Sequence, residues 1–268
     1  MSDLSAVRIA AELARRGARL GPISVLEQTA STNDDARALA RGGAPHGAVV
    51  LAEAQSAGRG RGTHRWYSPP GASIYASLVW RPRLESSRLA MLALAVGVGV
   101  ARGVDAHLSV PRARIKWPND VYVDDRKIAG ILVEASLGSG APLAIVGVGL
   151  NVGVREFPTD LATIATSLLL AGGRDLDRSL VAATLLASVD DACRDLEAGL
   201  SSDDVTRSSR VLEELGERDC LIGRAVRIGE VVGAAAGIDT EGRLLVRRAD
   251  GVLEAVVSGE VSLEVGGR

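Results

Sequence analysis

The sequence predicts an α+β fold: a mixed sheet with flanking helices, followed by a small β-barrel. Three observations lead there. Strand-like alternation and helix-like apolar spacing interleave along the first 220 residues. The segment 86–107 reads as a long helix, apolar on every side and therefore central. After Leu221 only short β-rich pieces remain, separated by turn signals at 239–242 and 250–251. The expected division is 1–220 and 221–268.

The elements follow in order. Residues 1–20 read as a short helix with Val7, Ile9, Ala10, Leu13 and Leu20 on its apolar side, ended by Gly21-Pro22. A strand at 23–26 precedes a second helix. Ser31 or Thr32 caps it, Asp34 and Asp35 stand in its first turn where carboxylates suit the helix dipole, and Leu39 and Ala40 face inward. Strands are expected at 48–52, 74–80, 114–117, 121–123, 128–135 and 144–152, and a Gly/Arg-rich loop at 56–65. Residues 155–167 show no period and read as a loop leading to a helix start. An amphipathic helix at 180–196 carries Val181, Leu185, Val189 and Cys193 at fourfold spacing. The C-terminal barrel is expected to dock through Val226, Ile228, Leu244, Val246 and Val261, with Glu254, Glu260 and Glu264 on solvated faces.

Composition narrows the function classes. The chain has 268 residues, a formal net charge of −2 and a pI near 6.0, so it offers no global basic field for nucleic acid. Its two cysteines, Cys193 and Cys220, form no CxxC pair and read as buried thiols in a reducing compartment. Arg8, Glu12, Arg15, Arg16 and Arg19 interrupt the N-terminal apolar residues, so no secretory core is present. The apolar run 89–101 is shorter than the ~20 residues a membrane span needs. A cytoplasmic protein is expected, monomeric or weakly homodimeric.

Three segments stand out chemically. Gly58-Arg59-Gly60-Arg61-Gly62 alternates glycine with arginine. Glycine lets backbone N–H groups approach an anion, and arginine forks onto phosphate or carboxylate oxygens. A solvated surface loop has the same composition, so both readings stand. No P-loop is present, because no Lys-Ser or Lys-Thr follows at the required spacing. The second segment is Lys116-Trp117-Pro118-Asn119-Asp120, followed by Arg126-Lys127-Ile128-Ala129-Gly130. Pro118 breaks the strand, so Asn119 and Asp120 should project from a turn; Lys127 opens the next strand, where a solvated charge is also common. The third, Gly147-Val148-Gly149-Leu150-Asn151, places glycines inside a strand and marks close approach of ligand or backbone.

Gln55 with the GRGR loop and Trp66, KWPND followed by RKIAGIL, and GVGLN together resemble the biotin–protein ligase family in content, order and spacing. Ser31-Thr32-Asn33 is similar to the family's STN segment, residues 165–168 to its ATSL segment, and residues 258–263 to its C-terminal signature. The resemblance runs from about residue 25 to about residue 265. It implies a class II synthetase-like biotin/lipoate ligase catalytic domain with an SH3-like C-terminal barrel. It also implies a two-step reaction, in which biotin and ATP give biotinyl-5′-AMP and the biotinyl group then moves to a lysine of a biotin carboxyl carrier protein, or carrier domain, of acyl-CoA or pyruvate carboxylases.

By the same resemblance, Arg61 and Lys127 would bridge the biotin carboxylate and the phosphate, with Lys116 a further cation and Arg59 pinning the closed loop. Ser31, Thr32 and Gln55 would hydrogen-bond the ureido head, with Asn33 and Gly58 beside them. Gly130, Gly147 and Gly149 would leave room for the rings and tail. Trp66 would stack on adenine, Asn119 and Asn151 would contact the nucleotide, and Ile164 and Ala165 would flank it. Asp120 would hold Mg²⁺ or steer the carrier lysine.

Two departures bear on this reading. His64 stands where many members carry another basic residue, with Arg65 beside it. Only about 25 residues precede the matched region, too few for the winged helix-turn-helix of bifunctional members, so specific DNA binding is not expected. The competing readings are a lipoate–protein ligase of the same superfamily, a non-catalytic biotin or nucleotide sensor, and a nucleic-acid-binding module. The GRGR and KWPND segments oppose the first. The intact Arg61 and Lys127 oppose the second. The net charge and the lack of an aromatic stacking stripe oppose the third.

Overall fold

The computed structural model describes residues 3–84, 88–136, 142–201 and 205–263. The expected α+β architecture is present. Strands β1 (Ile23–Thr29), β2 (Val49–Gln55), β3 (Ser73–Trp80), β4 (Arg114–Lys116), β5 (Asp120–Val123), β6 (Arg126–Ser136) and β7 (Leu143–Asn151) form one sheet in the order β1-β2-β3-β7-β6-β5-β4. Only the β1–β2 pairing is parallel among them.

The two faces of this sheet differ because side chains alternate along each strand. On one face Ile74, Ala76, Leu78 and Trp80 of β3 join the main core with helices α1 (Ala6–Arg15), α3 (Leu89–Asp105), α4 (Arg178–Ser201) and α5 (Val205–Arg218). On the other, Val50, Val79 and Ile145 pack under Ala36 and Ala40 of α2 (Thr32–Arg41). Beyond α2 this second face carries Tyr75, Ser77, Gly147, Gly149 and Gly130, so its small and polar residues floor a cleft.

Helix α3 is central as expected and buried on nearly every side. It begins at Leu89; the expected start at Ser86 lies outside the described residues. Helix α4 is longer than the amphipathic pattern suggested and largely buried, since α1, α3 and α5 all pack on it. Helix α5 was not anticipated. In α1 only Ile9 and Leu13 of the expected stripe are buried; Val7 is 80 % exposed, because a ten-residue helix lying on α4 buries a narrow strip. Leu39 likewise points outward, and Ala36 takes the inward position beside Ala40, letting α2 sit close to the sheet.

The C-terminal strands β8 (Ala225–Ile228), β9 (Val231–Ile238), β10 (Leu244–Arg247), β11 (Leu253–Val256) and β12 (Ser262–Leu263) make a separate antiparallel sheet, order β11-β10-β9-β8-β12. Val226, Ile228, Leu244, Val246 and Val261 are buried in an apolar cluster continuous with that of the main sheet. The β9–β10 turn packs directly on the main domain. Trp117 Nε1 donates to Gly242 O at 2.9 Å, and a Cβ on Gly242 would lie 2.7 Å from Met91 Sδ. Its φ of +80° also favours glycine. Glu254 and Glu260 are not buried; Glu264 lies outside the described residues. Among the described residues no helix is long and apolar enough to cross a membrane.

Candidate active site

A cavity of about 920 Å³ opens on the glycine-floored face. Its walls include the α2 N-terminus, the GRGR loop, the KWPND turn, the start of β6, residues 157–165 and residues 258–261. Every candidate residue read from the sequence lines it except Gly58, which is buried at the base of the loop.

The polar end is built by Ser31, Thr32 and Asn33. Ser31 caps α2 through its carbonyl, which accepts from the Asp34 and Asp35 amides; its hydroxyl makes no capping bond. Gln55 Oε1 accepts from the Thr32 backbone N–H at 3.0 Å, and Gln55 Nε2 donates to Ser68 Oγ at 3.1 Å. Ser77, fully buried in β3, lies 2.7 Å from Thr32 Oγ1 and 2.6 Å from Asn33 Oδ1. Asn33 Nδ2 donates to Glu134 Oε2 at 2.7 Å.

The GRGR loop closes on itself. Trp66 N donates to Gly58 O, Gly60 N donates to His64 O, and Arg59 bridges to Arg65. A Cβ at Gly58 would sit 2.6 Å from Ser68 Oγ, so glycine is required by packing. Arg59 ties the loop to α2 and β6: its Nη2 lies 2.7 Å from Asp34 Oδ1 and 3.2 Å from Glu134 Oε2. Arg61 departs from expectation. Its Nη1 donates to Gly259 O at 2.6 Å, and His64 Nε2 lies 3.3 Å from Glu260 Oε2, so the loop leans on the C-terminal segment. Gly259 is required there, since a Cβ would collide with Ile228 Cγ2.

Lys127 is held inside the cavity. Its Nζ lies 2.7 Å from Asp120 Oδ1 and 5.4 Å from the centre of the Trp66 ring. Its backbone N–H donates to Ile164 O, and its carbonyl accepts from Thr166 N, which stitches the 158–166 segment to β6. Asp120 is thus the counter-ion of Lys127, a role the sequence did not suggest. Lys116 Nζ lies 5.7 Å from the Tyr122 ring centre. Burial, and then the charge of Asp120, push the Tyr122 phenol above its usual range, which removes it as a proton acceptor near neutrality.

Several expected contacts are taken by the chain itself. Asn119 Nδ2 donates to Ile131 O at 2.9 Å, and Asn151 Nδ2 donates to Thr166 O at 3.0 Å; both amides brace backbone. The space beside the strand glycines is filled. A Cβ at Gly149 would lie 2.5 Å from Trp66 Nε1, one at Gly130 2.9 Å from Trp66 Cζ3, and one at Gly147 3.0 Å from Asn33 Cγ. Here the glycines admit Trp66 and Asn33, and Trp66 lies on the cavity floor. Ala165 is buried, Ile164 is exposed, and Phe157 meets Tyr67 with ring centres 6.3 Å apart.

Among the described residues no cluster of three His, Cys, Asp or Glu side chains is placed to hold a metal. Sequence reasoning missed Ser77, Glu134, Asp34 and Tyr122. Ser77 had a readable signal, a small polar residue centred in the apolar run 74–80.

Comparison with known proteins agrees with this layout. The sequence profile of the biotin/lipoate A/B protein ligase family matches residues 25–151, and that of the biotin protein ligase C-terminal domain matches residues 221–264. The bifunctional ligase/repressor BirA of Salmonella typhimurium is 36% identical over 223 residues, covering 81% of this chain and 67% of that protein. The biotin–[acetyl-CoA-carboxylase] ligase of Mycobacterium tuberculosis is 36% identical over 231 residues, covering 83% and 82%. The biotin protein ligase from Aquifex aeolicus, solved in complex with biotin and ATP, superposes with a TM-score of 0.76 at 26% identity, covering 91% of this chain and 99% of that one.

Proposed function

The chain belongs to the biotin protein ligase family, and we propose that it makes biotinyl-5′-AMP from biotin and ATP, then transfers the biotinyl group to a carrier-protein lysine. One observation supports this most strongly. A single cavity is lined by the hydrogen-bonding side chains of Ser31, Thr32 and Asn33 and by the cations Arg61, Lys116 and Lys127. That combination fits a ligand pair with an uncharged ureido ring and two anionic groups.

In the first step a biotin carboxylate oxygen attacks the α-phosphorus, the bond to the β-phosphate oxygen breaks, and pyrophosphate leaves. Two anions must approach, so fixed cations have to offset their repulsion and the charge developing at phosphorus. Lys127 and Arg61 are the candidates for that work. Each already has a partner, Asp120 and the Gly259 carbonyl, and each would turn from it to the anions. A carboxylate partner at 2.7 Å holds Lys127 in the cleft before substrate arrives. Trp66, now over Gly149 and Gly130, would move to let biotin in and stack on the nucleotide. In the second step the carrier lysine amine attacks the mixed-anhydride carbonyl and AMP leaves. Phe157 and Ile164 would shield that anhydride from water.

Mg²⁺ that accompanies ATP is carried mostly by phosphate oxygens and one or two carboxylates. Asp120 is the carboxylate beside Lys127 in the cavity and fits that limited role while shared with it; the ion would offset phosphate charge. The acceptor is a biotin carboxyl carrier protein or domain of acyl-CoA or pyruvate carboxylases. Residues 1–220 form the catalytic domain and 221–268 the C-terminal domain, whose 258–261 segment completes the cavity wall.

The test is ATP-dependent pyrophosphate release with biotin, with lipoate as control, followed by label transfer to a biotin carrier domain. Biotin-dependent release and transfer are expected; lipoate-dependent release with biotin inert would overturn the reading.

A further inference from the structure

Glu134 lies on β6, seven residues past Lys127, and its side chain is only 28 % exposed. Three donors converge on its Oε2: Asn33 Nδ2 at 2.7 Å, Arg37 Nη2 at 2.8 Å and Arg59 Nη2 at 3.2 Å. Arg37 and Arg59 also share Asp34 Oδ1, at 2.8 and 2.7 Å. Two arginines and two carboxylates thus balance one another across α2, the GRGR loop and β6.

The chemistry of these groups gives the network a direction. An ionised carboxylate only accepts, so Asn33 must turn its NH₂ to Glu134 and its carbonyl oxygen to Ser77. That oxygen cannot donate, so the single Ser77 proton goes to it. The 2.7 Å contact between Ser77 and Thr32 is then made by the Thr32 proton. Thr32 Oγ1, which also lies 3.2 Å from the acceptor Gln55 Oε1, thus takes no proton from Ser77 and keeps its lone pairs for the cavity it lines.

We propose that Glu134 is a positioning residue that sets this direction, so that Thr32 meets the ureido ring of biotin as an acceptor of a ring N–H. The step rests on the cavity being the biotin site. Glutamine at 134 can donate or accept, so only the long 3.4 Å bond from Asn33 Nδ2 to Leu132 O still opposes turning the amide over. An inverted Asn33 would offer Ser77 a donor, Ser77 would give its proton to Thr32, and the Thr32 proton would turn to Gln55 Oε1 at 3.2 Å, leaving one lone pair fewer for the ring N–H. The cost falls on biotin binding and leaves the phosphate chemistry alone.

The experiment is steady-state pyrophosphate release by the full chain, varying biotin and ATP separately. The variants are Glu134→Gln, Ser77→Ala and the double variant, with thermal melting alongside. Glu134→Gln is isosteric, and Ser77→Ala breaks the chain at its centre without touching the arginines. Each single variant is expected to raise the biotin KM about tenfold, with kcat and the ATP KM within about twofold of wild type. The double variant should be no worse than the poorer single, because both act through one chain. A folded single variant with wild-type biotin KM overturns the proposal, as do effects that multiply in the double variant. A loss shared equally by kcat and both KM values overturns it too. Wild-type protein without biotin-dependent release would instead overturn the functional reading.

Discussion

Substituting Gly147 by alanine probes the polar end of the cavity with one methyl group. Gly147 pairs with Ser77 on one side and Leu132 on the other, in the middle of the sheet. A Cβ there would lie 3.0 Å from Asn33 Cγ and 3.1 Å from Asn33 Nδ2, inside the ~3.5 Å at which carbon contacts become favourable. Asn33 must move, and it would lose its bonds from Ser77 at 2.6 Å and to Glu134 at 2.7 Å. One neutral and one charge-assisted bond together contribute about 2–4 kcal/mol. Alanine in place of a strand glycine returns about 1 kcal/mol of backbone entropy. The net destabilisation is about 2 kcal/mol, or roughly 4–8 °C in Tm for a chain of this size. Biotin affinity should fall as well, by roughly tenfold or more, since Asn33 and Thr32 leave their positions together. Scanning calorimetry and biotin titration read the two effects. Gly153→Ala is the control, because its Cβ would meet only Ala72 O at 3.7 Å. Gly147→Ala with the control's Tm and unchanged biotin affinity would refute the reasoning.

Three further outcomes are expected. Amides of residues 57–65 should gain hydrogen-exchange protection when biotinyl-AMP forms, as Arg61 exchanges the Gly259 carbonyl for an anion; equal protection in both states would contradict that. A protein ending at Cys220 should still bind biotin by calorimetry yet lose most transfer activity, because Gly259 and Glu260 leave the loop; full activity would make the C-terminal sheet dispensable. Both thiols should alkylate slowly at pH 8 in the native state. Burial, and then the charge of Asp219, push Cys220 up to about 11, and burial raises Cys193 well above the ordinary range. About one Cys220 in a thousand is then thiolate at pH 8, and the rate should climb as pH rises toward 11; rapid labelling at pH 8 would show the site to be open.

The sheet was legible because its strands alternate or run apolar between turn signals, and α3 because no side of it is polar. Helix α5 was not read, although Val211, Leu212 and Leu215 repeat at helical spacing, because the charged residues among them resemble a linker. The site residues were legible as types in an order. Their partners were not, because hydrogen bonds between different elements, from 12 residues apart for Asn119 to 198 for Arg61, leave no local pattern. Asn119 and Asn151 looked like ligand contacts and brace backbone carbonyls instead. Arg61 was readable as an anion-binding side chain, while its resting place on Gly259, 198 residues away, depended on how the C-terminal sheet docks. The strand glycines were read as points of close approach for ligand or backbone, whereas the approaching groups are the side chains of Trp66 and Asn33.

The central claim is that Lys127, held by Asp120 at one end of a shared cavity, stabilises the charge that develops as biotin attacks ATP. The most direct measurement is single-turnover formation of biotinyl-5′-AMP by Lys127→Ala, with its fold verified by circular dichroism and biotin binding measured on the same sample. Removing one fixed cation aimed at the transition state costs on the order of 3 kcal/mol, so the rate should fall ~100-fold while biotin still binds. A folded Lys127→Ala protein that forms the adenylate at the wild-type rate would contradict the account.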